Sequence, residues 1–221
     1  MNMKHGIILV TIDSLRADHL RCLGYAKPTT PNIDDLAKHG ILFTQAFSNG
    51  GGSVTSFPSI MTSTYPLMNP NSNTKNGAFW VKLSNRWITT AEMLKSKSFL
   101  TAAFKNKKDD LSSIFGYDRG FDLFDDPISL NGGTFAKVYR KMRFLRGNKY
   151  QRANLINKKA ISWLKNHTEN FFLWLHYMDV HLPYNPKKLS IINRLRAIKL
   201  EKKACNIPEH LSLKDLEILM S

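Results

Sequence analysis

The chain of 221 residues is 43% hydrophobic and 22% charged, long enough for one sizeable core and unlike a disordered tail. Its formal charge of +15 is lopsided: between Pro127 and Lys203 stand 17 lysines and arginines against three acids. Such a region predicts attraction to an anionic polymer, an anionic membrane face or an anionic substrate. No zinc spacing, Gly-rich RNA signature or helix-turn-helix pattern accompanies the charge, so no specific nucleic-acid reader is expected.

The most apolar stretch, Phe171–Met178, falls far short of the roughly 20 residues a bilayer requires. The apolar run before Asp13 is too short for a secretory core of about 7–15 residues, so a cytoplasmic location is expected. Cys22 and Cys205 lie far apart and form no metal or redox spacing.

Gly6–Asp13 (GIILVTID) reads as a buried parallel strand, because Ile7, Ile8, Leu9 and Val10 follow one another without polar alternation. Asp13 closes that strand at its carboxyl end, where open α/β sheets place their chemistry; there it is either a metal ligand or a helix cap. Pro28–Gly40 predicts a turn and a short helix capped near Asn32 and stopped by Gly40. Ile41–Phe47 (ILFTQAF) predicts a second buried strand, and Asn49–Gly52 a flexible loop. Ser53–Ser63 predicts a helix with Ser56 as N-cap and Pro58 in the first turn. Asn69–Gly77 shows turn chemistry without periodicity and reads as loop. A helix at Thr89–Lys97, a strand at Phe99–Phe104, an amphipathic helix at Gln151–Asn166 and a strand at Phe171–Tyr177 follow. Leu189–Leu200 and Ser212–Leu219 read as further helices. Helices alternating with buried strands give an α/β fold, a mainly parallel sheet with helices on both faces.

Five stretches, in order, resemble the amino-terminal half of a sulfatase, a branch of the alkaline-phosphatase-like superfamily. VTIDSLRADHLRCLGY resembles the opening metal-binding segment, and TPNIDDLAKHGILFTQAFSN the stretch after it. SVTSFPSIMTSTYP stands in the place of the nucleophile motif, C-x-P-S-R followed by T-G in the family. DRGFDLFDD resembles the family's GFD turn, and FFLWLHYMDVHLPYNP its H-x-x-D-x-H-x-P-Y segment. The resemblance covers nearly the whole chain, which is thereby expected to be, over residues 1–221, the amino-terminal part of one such domain.

Carried over residue by residue, the resemblance makes Asp13 the first metal-binding aspartate, with Ser14 where the family has a second acid. With Thr62 and Ser63 on the T-G pair, Ser53 is the nucleophile; in another register, which matches Pro58, Ser56 is. His181 matches the histidine that contacts the sulfate or leaving-group oxygen, and Asp179 belongs to the same substrate-binding segment. Asn106 falls on the catalytic lysine position, flanked by Lys105 and Lys107, either of which could pair with a terminal oxygen as a point charge. The implied cofactor is a divalent metal, calcium foremost, with manganese or zinc as alternatives, and the implied partner is a small anionic ester. Read from the residues alone, His176 takes a structural role, and Asp122 satisfies backbone N–H groups of its turn.

Ester hydrolysis puts charge on non-bridging and leaving oxygens. A divalent cation neutralises the first and turns a serine hydroxyl, whose own pKa is far above neutrality, into a useful nucleophile. A helix start beneath the anion adds partial positive charge and amide donors. Two departures shape the expectation. In the Ser53 register Thr55 and Phe57 stand where conversion to formylglycine needs Pro and Arg, so an unmodified hydroxyl points toward phosphate or phosphodiester chemistry. The family's downstream S-D-H-G ligand stretch does not occur before Ser221. The alternative expectation is a non-catalytic protein that binds anionic ligands through its basic surface.

Overall fold

A computed structural model describes residues 5–65, 72–75, 78–106, 111–125 and 153–181. Four strands form one parallel sheet in the order β1 (Gly6–Ile12), β6 (Phe171–Tyr177), β4 (Leu100–Lys105), β5 (Leu123–Asp125). The register sets Thr11 beside His176 and Lys105 beside His176, so these three residues share one row. A second, antiparallel pair joins β2 (Ser72–Lys75) to β3 (Ala78–Val81).

Helices cover both sheet faces. On one, α2 (Ser53–Thr62) and α3 (Thr90–Ser96) contribute Phe57, Met61 and Ala91 to a core with Ala103, Phe172 and Trp174. On the other, α4 (Ala153–Asn166) packs Ile156, Ala160 and Trp163 against Ala102, Phe104 and Leu173. The period-2 alternation of β4 and β6 explains the split, since successive side chains enter opposite cores. Each fully buried large side chain contributes about 1.5–3 kcal/mol by leaving water. The helix α1 (Pro31–His39) lies near the start of the chain, with Pro31 in its first turn.

The expected buried first strand is present but is not buried. Among the described residues β1 has a neighbour on one side only, β6, and Ile7, Ile8 and Val10 stay 42%, 50% and 51% exposed. Ile41–Phe47 is not a strand: it has no ladder partner among the described residues, and Ile41, Phe43 and Phe47 project into solvent. β-rich composition alone does not make a strand without a neighbouring edge. The expected loop at 69–77 instead contains β2, and the Asn76–Gly77 dipeptide between the paired strands is a hairpin signal that a search for periodicity passes over. The helix α2 begins at Ser53 after an extended Gly52, three residues before the expected cap, so Pro58 lies inside it with its ring buried. The helices expected at 189–200 and 212–219 lie outside the described residues, as does most of the basic stretch.

The DRGFD turn is an anchor for α3 and β4. Arg119 donates to both carboxylate oxygens of Glu92, at 3.1 and 2.9 Å, and to the carbonyls of Ser84 and Trp87. Thr89 and Glu92 complete a reciprocal capping box on α3. Asp122 accepts from Thr101 N–H at 3.0 Å, lies 2.9 Å from Thr101 Oγ1, and pairs with Lys95. Burial alone would raise both carboxyls, but the Thr89 N–H and Arg119 guanidinium hold Glu92 below its ordinary value of 4.5. Lys95 and Thr101 hold Asp122 below 3.8 in the same way. Lowered native values mean stability that is present above the ordinary carboxyl range and is lost as pH falls through the native values. The melting temperature should therefore be level from pH 7 to about 5 and fall below roughly pH 4.5. Thermal unfolding of Glu92→Gln and Asp122→Asn should show a lower plateau and a shallower acid slope; an unchanged slope would remove these groups from the acid response.

Candidate active site

A parallel sheet delivers every strand's carboxyl end to one side. Asp13 N–H donates to Tyr177 O at 2.9 Å and Asn106 N–H to His176 O at 3.0 Å, so each ladder runs one residue past its strand. The chain then leaves β1 sharply: Ser14 adopts φ 61°, a left-handed conformation uncommon outside glycine and often found at functional turns.

The amino terminus of α2 meets that turn. Ser53 Oγ donates to Asp13 Oδ2 at 3.0 Å across 40 residues of sequence, and Ser14 Oγ donates to Asp13 Oδ1 at 3.2 Å. Both carboxylate oxygens thus face hydroxyls. Ser56 is turned elsewhere: its Oγ donates to the Gly52 carbonyl at 3.0 Å, and Thr55 Oγ1 does the same at 2.9 Å. The preceding loop lies hard against this first turn, for a Cβ on Gly50 would fall 2.1 Å from Thr55 Oγ1. Gly52 offers no side-chain cap, so the positive end of the helix dipole is compensated by the Asp13 carboxylate through Ser53.

The other sequence-derived candidates are spread along the same sheet edge. Asp179 accepts the Ala153 N–H at 3.1 Å and so caps α4. Asp179→Ala should fray that helix at a cost of about 1 kcal/mol, read as faster amide exchange over 153–156. His181 follows in the turn after β6, its N–H bonded to Met178 O, and is partly buried. Asn106 is fully buried at the end of β4. Lys105 is also fully buried, with its ammonium 5.4 Å from the Phe124 ring centroid. That contact directs it toward β5, the sheet edge opposite β1. Lys107 lies outside the described residues. The structure therefore brings together Asp13, Ser14 and Ser53. Ser14 reads in the sequence as a lost acid, and only the turn shows that its hydroxyl takes up the second carboxylate oxygen.

Residues 5–192 match the family model described as Sulfatase. The chain belongs to the sulfatase family. The N-acetylgalactosamine-6-O-sulfatase of Bacteroides thetaiotaomicron is 32% identical over 100 residues, 45% of this chain and 20% of that protein. The C-terminal periplasmic domain of EcEptC from Escherichia coli, solved in complex with Zn, superposes with a TM-score of 0.60 at 14% identity, covering 99% of this chain and 54% of that one. The phosphonate monoester hydrolase of Agrobacterium radiobacter gives a TM-score of 0.60 at 17% identity, covering 84% and 43%. A protein in the alkaline phosphatase superfamily from Vibrio parahaemolyticus superposes with a TM-score of 0.58 at 21% identity, covering 90% of this chain and 48% of that one, so the fold is alkaline-phosphatase-like; this sulfatase-family chain spans about half the length of these three structures.

Sulfatases and their superfamily use a divalent metal. Here the donors available to one are a carboxylate and two hydroxyls, hard oxygens of the kind calcium prefers. Among the described residues no group of three His, Cys, Asp or Glu is gathered to hold a metal ion. The donor type fits a hard cation; the number falls short of the roughly six oxygens such an ion takes.

Proposed function

We propose that this sulfatase-family chain contributes the nucleophile half of a hydrolase of sulfate or phosphate esters, with Ser53 attacking the sulfur or phosphorus and Asp13 orienting it. The observation that carries the reading is the 3.0 Å bond from Ser53 Oγ to Asp13 Oδ2 at the start of α2. Asp13 accepts the hydroxyl proton's hydrogen bond and holds the serine lone pairs outward. The leading amides and dipole of α2 favour an anionic ester group beside Ser53. A bound divalent cation, calcium in this reading with manganese or zinc as alternatives, would be held in part by Asp13 and would supply Lewis-acid chemistry. His181, in the turn after the neighbouring strand β6, is assigned to the substrate or leaving-group oxygen, and Asn106 to the substrate edge of β4. Thr55 and Phe57, in place of the Pro and Arg of the modification motif, leave Ser53 an unmodified hydroxyl and favour phosphate or phosphodiester substrates.

Turnover of 4-nitrophenyl sulfate and 4-nitrophenyl phosphate by the full chain, with calcium, manganese or zinc added, tests the reading. Hydrolysis that Ser53→Ala removes is expected, while Ser56→Ala keeps it. Equal rates for wild type and Ser53→Ala would take catalysis by this serine out of the account.

A further inference from the structure

One fully buried side chain touches both elements that carry the Asp13–Ser53 pair. His176 Nδ1 lies 2.9 Å from Thr11 Oγ1 on β1, two residues before Asp13 and on the same strand face. Its ring meets Phe57 edge-on, with centroids 5.0 Å apart, on α2 one turn beyond Ser53. Thr11 Oγ1 is itself fixed, because Trp174 Nε1 donates to it at 3.0 Å. With that lone pair used, the single Thr11 hydroxyl hydrogen has two acceptors in reach, His176 Nδ1 at 2.9 Å and Leu175 O at 3.4 Å. Thr11 Oγ1 also keeps a second lone pair, so the 2.9 Å contact is a hydrogen bond in either tautomer of the imidazole.

We infer that His176 is a positioning residue: through the Trp174–Thr11–His176 chain on one side and Phe57 on the other, it sets the placement of β1 relative to α2, and with it the geometry of Asp13 and Ser53. The inference rests on the reading of Asp13 as a cation-binding carboxylate. A histidine that merely filled space would need no hydrogen bond to β1 at all. The row it occupies is instead polar from end to end, Thr11, His176 and Lys105, in an otherwise aromatic layer of Phe57, Phe121, Phe124 and Trp174. A buried polar chain of this kind defines one arrangement of its elements more narrowly than apolar contacts do.

The test uses the full chain and terbium as the probe cation, with binding midpoints followed by tryptophan-sensitised luminescence. Asp13→Asn sets the scale for loss of the site. His176→Leu keeps bulk and removes the hydrogen bond; Thr11→Val removes it from the other end. Each should weaken terbium binding roughly tenfold, the effect typical of supporting residues behind a metal ligand. The double variant should be no weaker than either single one, because both delete the same contact. His176→Asn, which can keep an acceptor near the Nδ1 position, should stay within about threefold of wild type. Ile156→Ala in the opposite core should lower the melting temperature while leaving the terbium midpoint in place. If Asp13→Asn abolishes binding while His176→Leu and Thr11→Val both leave it unchanged, His176 is not a positioning residue. If terbium binding does not depend on Asp13, the functional reading falls, and this inference falls with it.

Discussion

Replacing Gly120 by alanine is expected to destabilise the chain by about 3 kcal/mol or more. Two causes add. Gly120 sits at φ +83°, a conformation that L side chains adopt only with strain. A Cβ there would also lie 2.2 Å from Glu92 N and 2.6 Å from the Ala91 carbonyl carbon, backbone atoms that cannot swing aside. Backing off would disturb Thr101 Oγ1, which donates to the Gly120 carbonyl at 2.7 Å, and the Arg119 bonds to Glu92, Ser84 and Trp87. The change therefore loosens α3 and β4 together. Urea unfolding should show a much lower midpoint for Gly120→Ala. Gly51→Ala, where an added Cβ meets nothing within 4 Å, should move it by less than about 1 kcal/mol. Similar midpoints for the two would remove the close approach from the explanation of the DRGFD turn.

The second large effect concerns chemistry rather than folding. Ser53→Ala should lower ester hydrolysis by at least about 10³-fold, since loss of a nucleophile removes the bond-forming atom and not just an orienting contact. Asp13→Asn should come close to that loss: the amide can still accept a hydrogen bond from Ser53, but it has no charge to offer a cation or the α2 dipole. Both variants should stay folded. Ser53 is only partly buried, and one hydrogen bond to a carboxylate is worth about 1.5–3 kcal/mol, less than the whole stability of a domain. The informative measurement pairs initial rates with thermal unfolding on the same samples. Loss of rate with a chain still folded at the assay temperature assigns the pair to chemistry, and loss of rate through unfolding at that temperature would make it a structural link between β1 and α2.

The sequence carries some parts of this molecule plainly and hides others for definable reasons. Phe171–Tyr177 and Leu100–Lys105 are legible because their apolar runs are buried on both faces, so burial and composition agree. The helix at Thr89–Lys97 is legible because its signal is local, although the Thr89–Glu92 capping box that starts it is seen only in the structure. Composition could not separate β1 from Ile41–Phe47: both are rich in β-formers, but only β1 has β6 to pair with, a fact 165 residues away in the chain. The cap of α2 is Gly52, four residues before Ser56, which looks like a cap but whose hydroxyl turns back onto the Gly52 carbonyl from inside the helix. At the site, Asp13 stands out as a strand-end acid, and Ser53 is singled out by family resemblance. Their 3.0 Å contact needs the fold. The burial of Lys105 could not be read at all, since a lysine at a strand end is ordinarily solvated, whereas here its ammonium lies over the ring of Phe124 on β5.

Among the described residues β1 pairs on one side only, and its half-wet aliphatic side chains lead along the strand toward Asp13. An extended polypeptide laid along that border would add a strand to the sheet and would also run past the carboxylate that Ser53 meets.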